Sequence, residues 1–190
     1  MSDSTVRNGN LIGLYNIWLS KRGARSMPAR RDFDPSEMVP ILPDIFLIDV
    51  VEAPALFRVR LVGTGLVNWL GRDATGKMID EGNYSKAAPG IQRIFNLVCE
   101  RKAPIVKKGY TYYNPEKKWV SSEALLMPLS ESDQDVNMIL AAMVRSEIAP
   151  DQPIPPKTNE VWLEAVSDPE SYLFLDPVIE GIPHSQRIAG

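Results

Sequence analysis

The chain has 190 residues, 44% hydrophobic and 24% charged, which suits one globular domain with extensions and a core of useful size. Its net charge of −3 argues against a nucleic-acid binder that works by counterion release. One cysteine excludes an internal disulfide, and one cysteine with one histidine leaves too few soft ligands for structural zinc. No apolar run is long enough to span a bilayer or to form a signal core, so a cytoplasmic protein without membrane contact is expected.

Residues 1–9 are polar and expected to fray. Asn10 is placed to cap a helix whose apolar positions Leu11, Leu14, Tyr15, Trp18 and Leu19 follow i, i+3, i+4, i+7, i+8 spacing. Lys21 and Arg22 suit its last turn and Gly23 its stop. So broad an apolar stripe must cover something, either the outer face of a sheet or a second copy of the same helix. An irregular charged crossing follows, and Asp34-Pro35 opens a short predicted helix to Ile41, ended by Pro43.

The organising stretch runs from Asp44 to Lys77. Ile45 to Val51 is an apolar, β-branched run suited to a strand buried on both faces. Ala53, Pro54 and Ala55 interrupt it. From Phe57 to Val62 the pattern alternates and puts Phe57, Val59 and Leu61 on one side. Gly63, Thr64 and Gly65 give a sharp turn into a short helix, Leu66 to Leu70, with Gly71 as a left-handed stop. Met78 to Ser85 reads as a loop or one helical turn. A longer helix from about Lys86 to Arg101 shows Ile91, Ile94, Phe95 and Val98 on one face, with Pro89 tolerable only in its first turn.

Strands are predicted from Ile105 to Tyr113 and from Trp119 to Leu129, turning at Asn114 to Lys117. After a polar loop, Ser130 to Asp135, a last strand from Asn137 to Val144 is apolar at both parities. Pro150, Pro153, Pro155 and Pro156 then read as a semi-rigid linker. The tail carries Trp162, Leu163, Tyr172, Leu173, Phe174 and Leu175, too apolar for a solvated segment, so it should dock on its own domain or on a partner.

This order of elements, together with Trp18-Leu19, Met27 to Arg30, Asp32 to Pro35, Ile41 to Pro43, Arg60 to Gly65, Gly71 to Gly76 and Met127 to Leu129, resembles stand-alone bacterial PAS domain proteins, chiefly of alphaproteobacterial type. The likeness covers residues 11–145. It implies an α+β PAS fold: a five-stranded antiparallel sheet with helices on one face, the N-terminal helix covering the other face or a dimer partner. The expected organisation is an N-terminal helical extension at 1–43, a PAS core at 44–147 and a Pro-rich linker with an apolar tail at 148–190. The resemblance also implies a sensory, non-catalytic role with a small ligand between the long helix and the sheet. With no kinase, cyclase or DNA-binding segment read in the chain, output would pass to a signalling partner protein. The alternative is a ligand-free protein–protein interaction scaffold, and a homodimer through the Leu11–Leu19 helix fits either.

Candidate pocket residues are Trp69, Ile94, Phe95, Val98, Tyr110, Tyr112 and Glu123. Trp69, Tyr110 and Tyr112, with Trp119, offer apolar bodies with polar tips, or are core and edge packing. Glu123 is either a polar anchor opposite Arg58 or Arg60, or part of an ion pair on the outer side of the sheet. Cys99 lies on the apolar side of the long helix, without the Asn-Cys-Arg-Phe-type motif of photosensory relatives, and reads as a buried, unreactive thiol rather than a flavin-adduct site. His184, the only candidate haem ligand, sits in the tail and reads as solvated. No haem, flavin adduct, zinc or other metal is expected, the ligand's identity stays open, and no nucleophile–base pair points to catalysis.

Overall fold

In the computed structural model of the chain, residues 8–52, 56–84, 87–111, 120–146, 172–176 and 184–187 are described. The first helix, α1, spans Gly9–Arg22 and is capped by Asn8 rather than Asn10. The Asn8 side-chain oxygen accepts the Asn10 and Leu11 N–H groups at 2.9 and 3.3 Å. Two asparagines stand two residues apart, and only the earlier one precedes the unpaired N–H groups of the first turn. Gly23 ends the helix at φ 56°.

Turns of 3-10 helix follow at Arg30–Asp32, Pro35–Met38 and Leu42–Asp44. Asp34 caps the second by accepting the Ser36 N–H at 2.9 Å. The helix expected to reach Ile41 stops at Met38 because Pro40, as well as Pro43, removes an N–H and crowds the preceding turn.

Five strands make the central sheet: β1 Ile45–Glu52, β2 Leu56–Val62, β3 Ile105–Thr111, β4 Val120–Leu129 and β5 Met138–Ser146. They pair antiparallel in the order β2-β1-β5-β4-β3. Between β2 and β3 come α2 Thr64–Leu70, α3 Glu81–Tyr84 and α4 Ala88–Arg101. The tail extends the sheet beyond β3 with β6 Tyr172–Asp176 and β7 His184–Arg187. These two described segments of the tail dock at the sheet edge of their own domain. The tail tryptophan Trp162, Leu163, the linker prolines and the turn at Asn114 to Lys117 lie outside the described residues.

Both faces of the sheet are buried. On β4, Leu126 faces one side at 3% exposure, while Leu125, Met127 and Leu129 face the other, each at 0%. Helix α4 roofs the Leu126 side. Helix α1 covers the opposite side with Leu11, Leu14, Tyr15 and Trp18, all buried, and the Trp18 indole N–H donates to the Pro128 carbonyl at 2.9 Å. Of the two expected roles for the stripe, the chain uses it to cover the outer face of its own sheet. The loop before β5 pins the chain leaving α1: Asp133, at φ 62°, accepts the Ser26 and Met27 N–H groups at 2.8 and 3.1 Å.

Strand β2 departs from simple alternation. Its register with β1 shifts between the pairs Leu47–Leu61 and Ile48–Val59, leaving Arg60 as the extra residue of a bulge. Leu61 therefore turns to the side opposite Phe57 and Val59 and is 44% exposed. Val62 takes the inward place expected for Leu61.

Candidate functional site

The Gly63-Thr64-Gly65 turn sits where backbone passes closely over backbone. A Cβ on Gly63 would lie 2.5 Å from the carbonyl oxygens of Leu42 and Pro43, and one on Gly65 would lie 2.9 Å from that of Pro43. Gly63 has an ordinary φ of −65°, so these glycines serve close approach rather than conformational freedom. The Gly63 N–H donates to the Ile45 carbonyl at 2.7 Å and locks the start of α2 to the start of β1. At the other end, Gly71 takes φ 70° and stops α2.

So placed, α2 and α3 join α4 over the sheet and enclose a cavity of about 480 Å³. Its deep wall is apolar: Ile48, Val59, Leu66, Phe95 and Leu126, each 2–4% exposed. Phe57 packs edge to face on Phe95, with ring centroids 5.3 Å apart, and fixes the roof helix to β2. Ala124, Ser122, Met143 and Lys107 supply the wall on β4, β5 and β3, and Trp69, Arg72 and Tyr84 supply it from the α2–α3 side.

The polar side chains around the cavity are held in place. Arg72 donates to the Asn83 carbonyl at 2.9 Å, and its guanidinium lies 4.8 Å from the Tyr84 ring centre. Burial pushes the Tyr84 phenol above its ordinary value; Arg72 opposes that and Asp80 adds to it. Arg145 lies 5.0 Å from the Trp69 ring centre and donates to Asp44 at 3.0 Å, tying Trp69 to β5 and to the entry of β1.

Of the sequence-predicted pocket residues, Trp69, Ile94 and Phe95 line this cavity together. Val98, on the same helix stripe, is fully buried in the core and is not part of the wall. Glu123 is on the other face: Ser122, Ala124 and Leu126 face the cavity, so the residue between them cannot. Its suggested partners are engaged elsewhere. Arg58 donates to Asp49 at 2.9 and 3.2 Å, and Arg60 lies 3.7 Å from the same carboxylate, also on the far face. Tyr110 has its backbone in β3, but its side chain, with Tyr112 and Trp119, lies outside the described part.

Sequence reasoning missed Arg72, Lys107, Ser122 and Tyr84. Lys107 follows apolar Val106 and precedes Lys108, so its parity carried no hydrophobic signal, and charge on a strand reads as outward-facing. Arg72 follows a helix stop, where a charged residue is unremarkable.

Cys99 is half-buried against the core, and burial, with Glu100 adding to it, pushes its thiol up to about 12. His184 lies in β7, opposite Asp176 in register, and its side chain is outside the described part. Among the described residues no group of three His, Cys, Asp or Glu could hold a metal ion. No helix among them is long and apolar enough to cross a membrane.

Solved structures to which the chain is similar include the PAS domain of Bordetella pertussis BvgS, at 15% identity and TM-score 0.42, covering 58% of this chain and 83% of that one. A light-oxygen-voltage domain studied with a flavin analogue aligns at 9% identity and TM-score 0.43, covering 59% of this chain and 83% of that one. No curated protein matches the sequence. A family profile described as PAS domain matches residues 6–144, from the segment before α1 to the end of the β5 core. The chain belongs to the PAS domain family, whose members are generally sensory and signalling modules.

Proposed function

We propose that the protein is a cytoplasmic sensory module that binds a small ligand in the cavity beneath α4 and passes its occupancy to a partner protein. The observation that carries this reading is the cavity itself. About 480 Å³ of largely apolar space falls within the range of small-molecule sites. A core built only for stability would close such a space, since each unfilled volume forfeits packing energy.

Two wall residues connect the cavity to surfaces a partner could read. Trp69 is joined through Arg145 to Asp44 and the entry of β1. Lys107 stands opposite Tyr172 in the pairing of β3 with the tail strand β6. A ligand that binds differently to arrangements with β6 docked and undocked shifts that equilibrium; one that binds both equally shifts nothing. A thermal-shift screen of metabolites on the full chain tests the reading. A stabilising hit accompanied by changed hydrogen exchange at 172–176 supports it, because a ligand at a hundred times its Kd adds about 2.7 kcal/mol to the native state. A flat screen counts against it.

A ligand-free interaction scaffold is the second reading, supported by Val51, Leu56 and Leu61, each 43–51% exposed at the β1–β2 edge. Deleting residues 150–190 separates the two readings: loss of partner binding with retained fold and no ligand effect favours the scaffold.

A further inference from the structure

Resting on the reading of this cavity as a ligand site, we propose that it takes an amphiphile with one apolar body and one acidic head. The deep wall offers such a body nothing but hydrocarbon and an aromatic ring. Ile48, Val59, Leu66, Phe95 and Leu126 are 2–4% exposed and carry no side-chain donor or acceptor. An apolar chain displacing water there gains about 25 cal/mol per Å² buried, whereas a polar group would forfeit its hydrogen bonds.

The charged side chains on the described wall are Arg72 and Lys107, and no described wall residue is acidic. This is not a consequence of composition, because Asp and Glu outnumber Lys and Arg in the chain by 24 to 21. Arg72 is exposed and Lys107 half-buried, so positive charge lies toward the open part of the cavity and hydrocarbon toward its closed part. The Arg72 fork is already oriented by the Asn83 carbonyl and the Tyr84 ring. With five N–H donors and one used on Asn83, it keeps donors for a carboxylate. An acid head at that level stays partly hydrated and avoids the cost of deep charge burial. At about 30 Å³ per water-sized group, 480 Å³ has room for on the order of fifteen non-hydrogen atoms, the size of a medium-chain acid.

Titration calorimetry on the full chain, with probes kept below micelle-forming concentrations, tests the proposal. Dodecanoate, dodecanol and dodecyltrimethylammonium share one tail and differ in head charge. Dodecanoate is expected to bind about tenfold or more tighter than dodecanol, the ratio that a charge-assisted hydrogen bond supplies, with the ammonium weakest. Arg72→Gln and Lys107→Gln should each lower dodecanoate affinity by more than dodecanol affinity and so erode that preference, and circular dichroism of both variants checks that they fold. Equal binding of acid and alcohol overturns the acidic head and leaves the cavity as a ligand site. Failure of all three probes alongside a stabilising hit of another class overturns the amphiphile alone. Failure of all three with a flat metabolite screen removes both readings.

Discussion

Phe57 on edge strand β2 meets Phe95 on roof helix α4 edge to face, their ring centroids 5.3 Å apart, and both rings are almost wholly buried. This contact holds the roof at the height that leaves the cavity beneath it. Phe95→Ala should therefore cost about 3–5 kcal/mol of stability, read as a lower urea midpoint. It should also weaken any cavity ligand, because Phe95 belongs to the wall. A loss well under 1 kcal/mol would mean that the roof is held by something else.

Two glycines should respond in opposite directions. Gly63→Ala forces a methyl to within 2.5 Å of two backbone carbonyl oxygens and should destabilise by roughly 1–3 kcal/mol or more. Gly13 lies inside α1 with nothing within 4 Å of a built Cβ, so Gly13→Ala should stabilise by about 0.5–1 kcal/mol. Parallel denaturation curves decide both, and a neutral Gly63→Ala would contradict the close-approach reading.

Trp18→Phe removes the donor that meets the buried Pro128 carbonyl at 2.9 Å, and an unmet buried acceptor costs about 1–3 kcal/mol. Because α1 packs on its own sheet, the loss should not depend on protein concentration. A melting temperature that climbs with concentration in the wild type and not in the variant would indicate a seam between copies instead.

For Cys99 the sign follows from a thiol raised from 9.0 to about 12. Unfolded chain loses the proton near the ordinary value while folded chain keeps it to about 12. This contribution to stability is therefore complete below pH 9 and disappears as pH rises from there to about 12. Ellman's reagent at pH 8 should react far more slowly with native protein than with urea-unfolded protein. Equal rates would show an accessible thiol.

Much of the fold could be read from residue order because the signals are local. Gly71 stops α2 in the left-handed region, Pro89 falls in the first turn of α4, and the apolar parity of β1 and β5 matches a sheet buried on both faces. What escaped depends on neighbours distant in sequence. The bulge at Arg60 is set by pairing with β1, and it alone exchanges the places of Leu61 and Val62. On β4, Ser121 and Ser122 flank Glu123 on one side and Ala124 follows it, so no contrast in hydrophobicity marks which parity faces inward. Tail strand β6 was legible only as apolar surplus, since its partner β3 lies more than sixty residues earlier. In the candidate site, aromatic and aliphatic wall residues on α2 and α4 follow from helical periodicity, while Arg72 and Lys107 carry charges that pattern rules assign to solvent.

Native mass spectrometry of freshly purified protein, wild type beside Ala124→Trp, tests the ligand cavity most directly. Ala124 is a small wall residue between Lys107 on β3 and Met143 on β5, so an indole there fills the space a ligand would occupy. The expected result is a small-molecule adduct, co-purified or added from the screen, on wild type and its loss in a variant that still folds. Equal adduct on both proteins, or none on either across the whole screen, would contradict the cavity as the site of recognition.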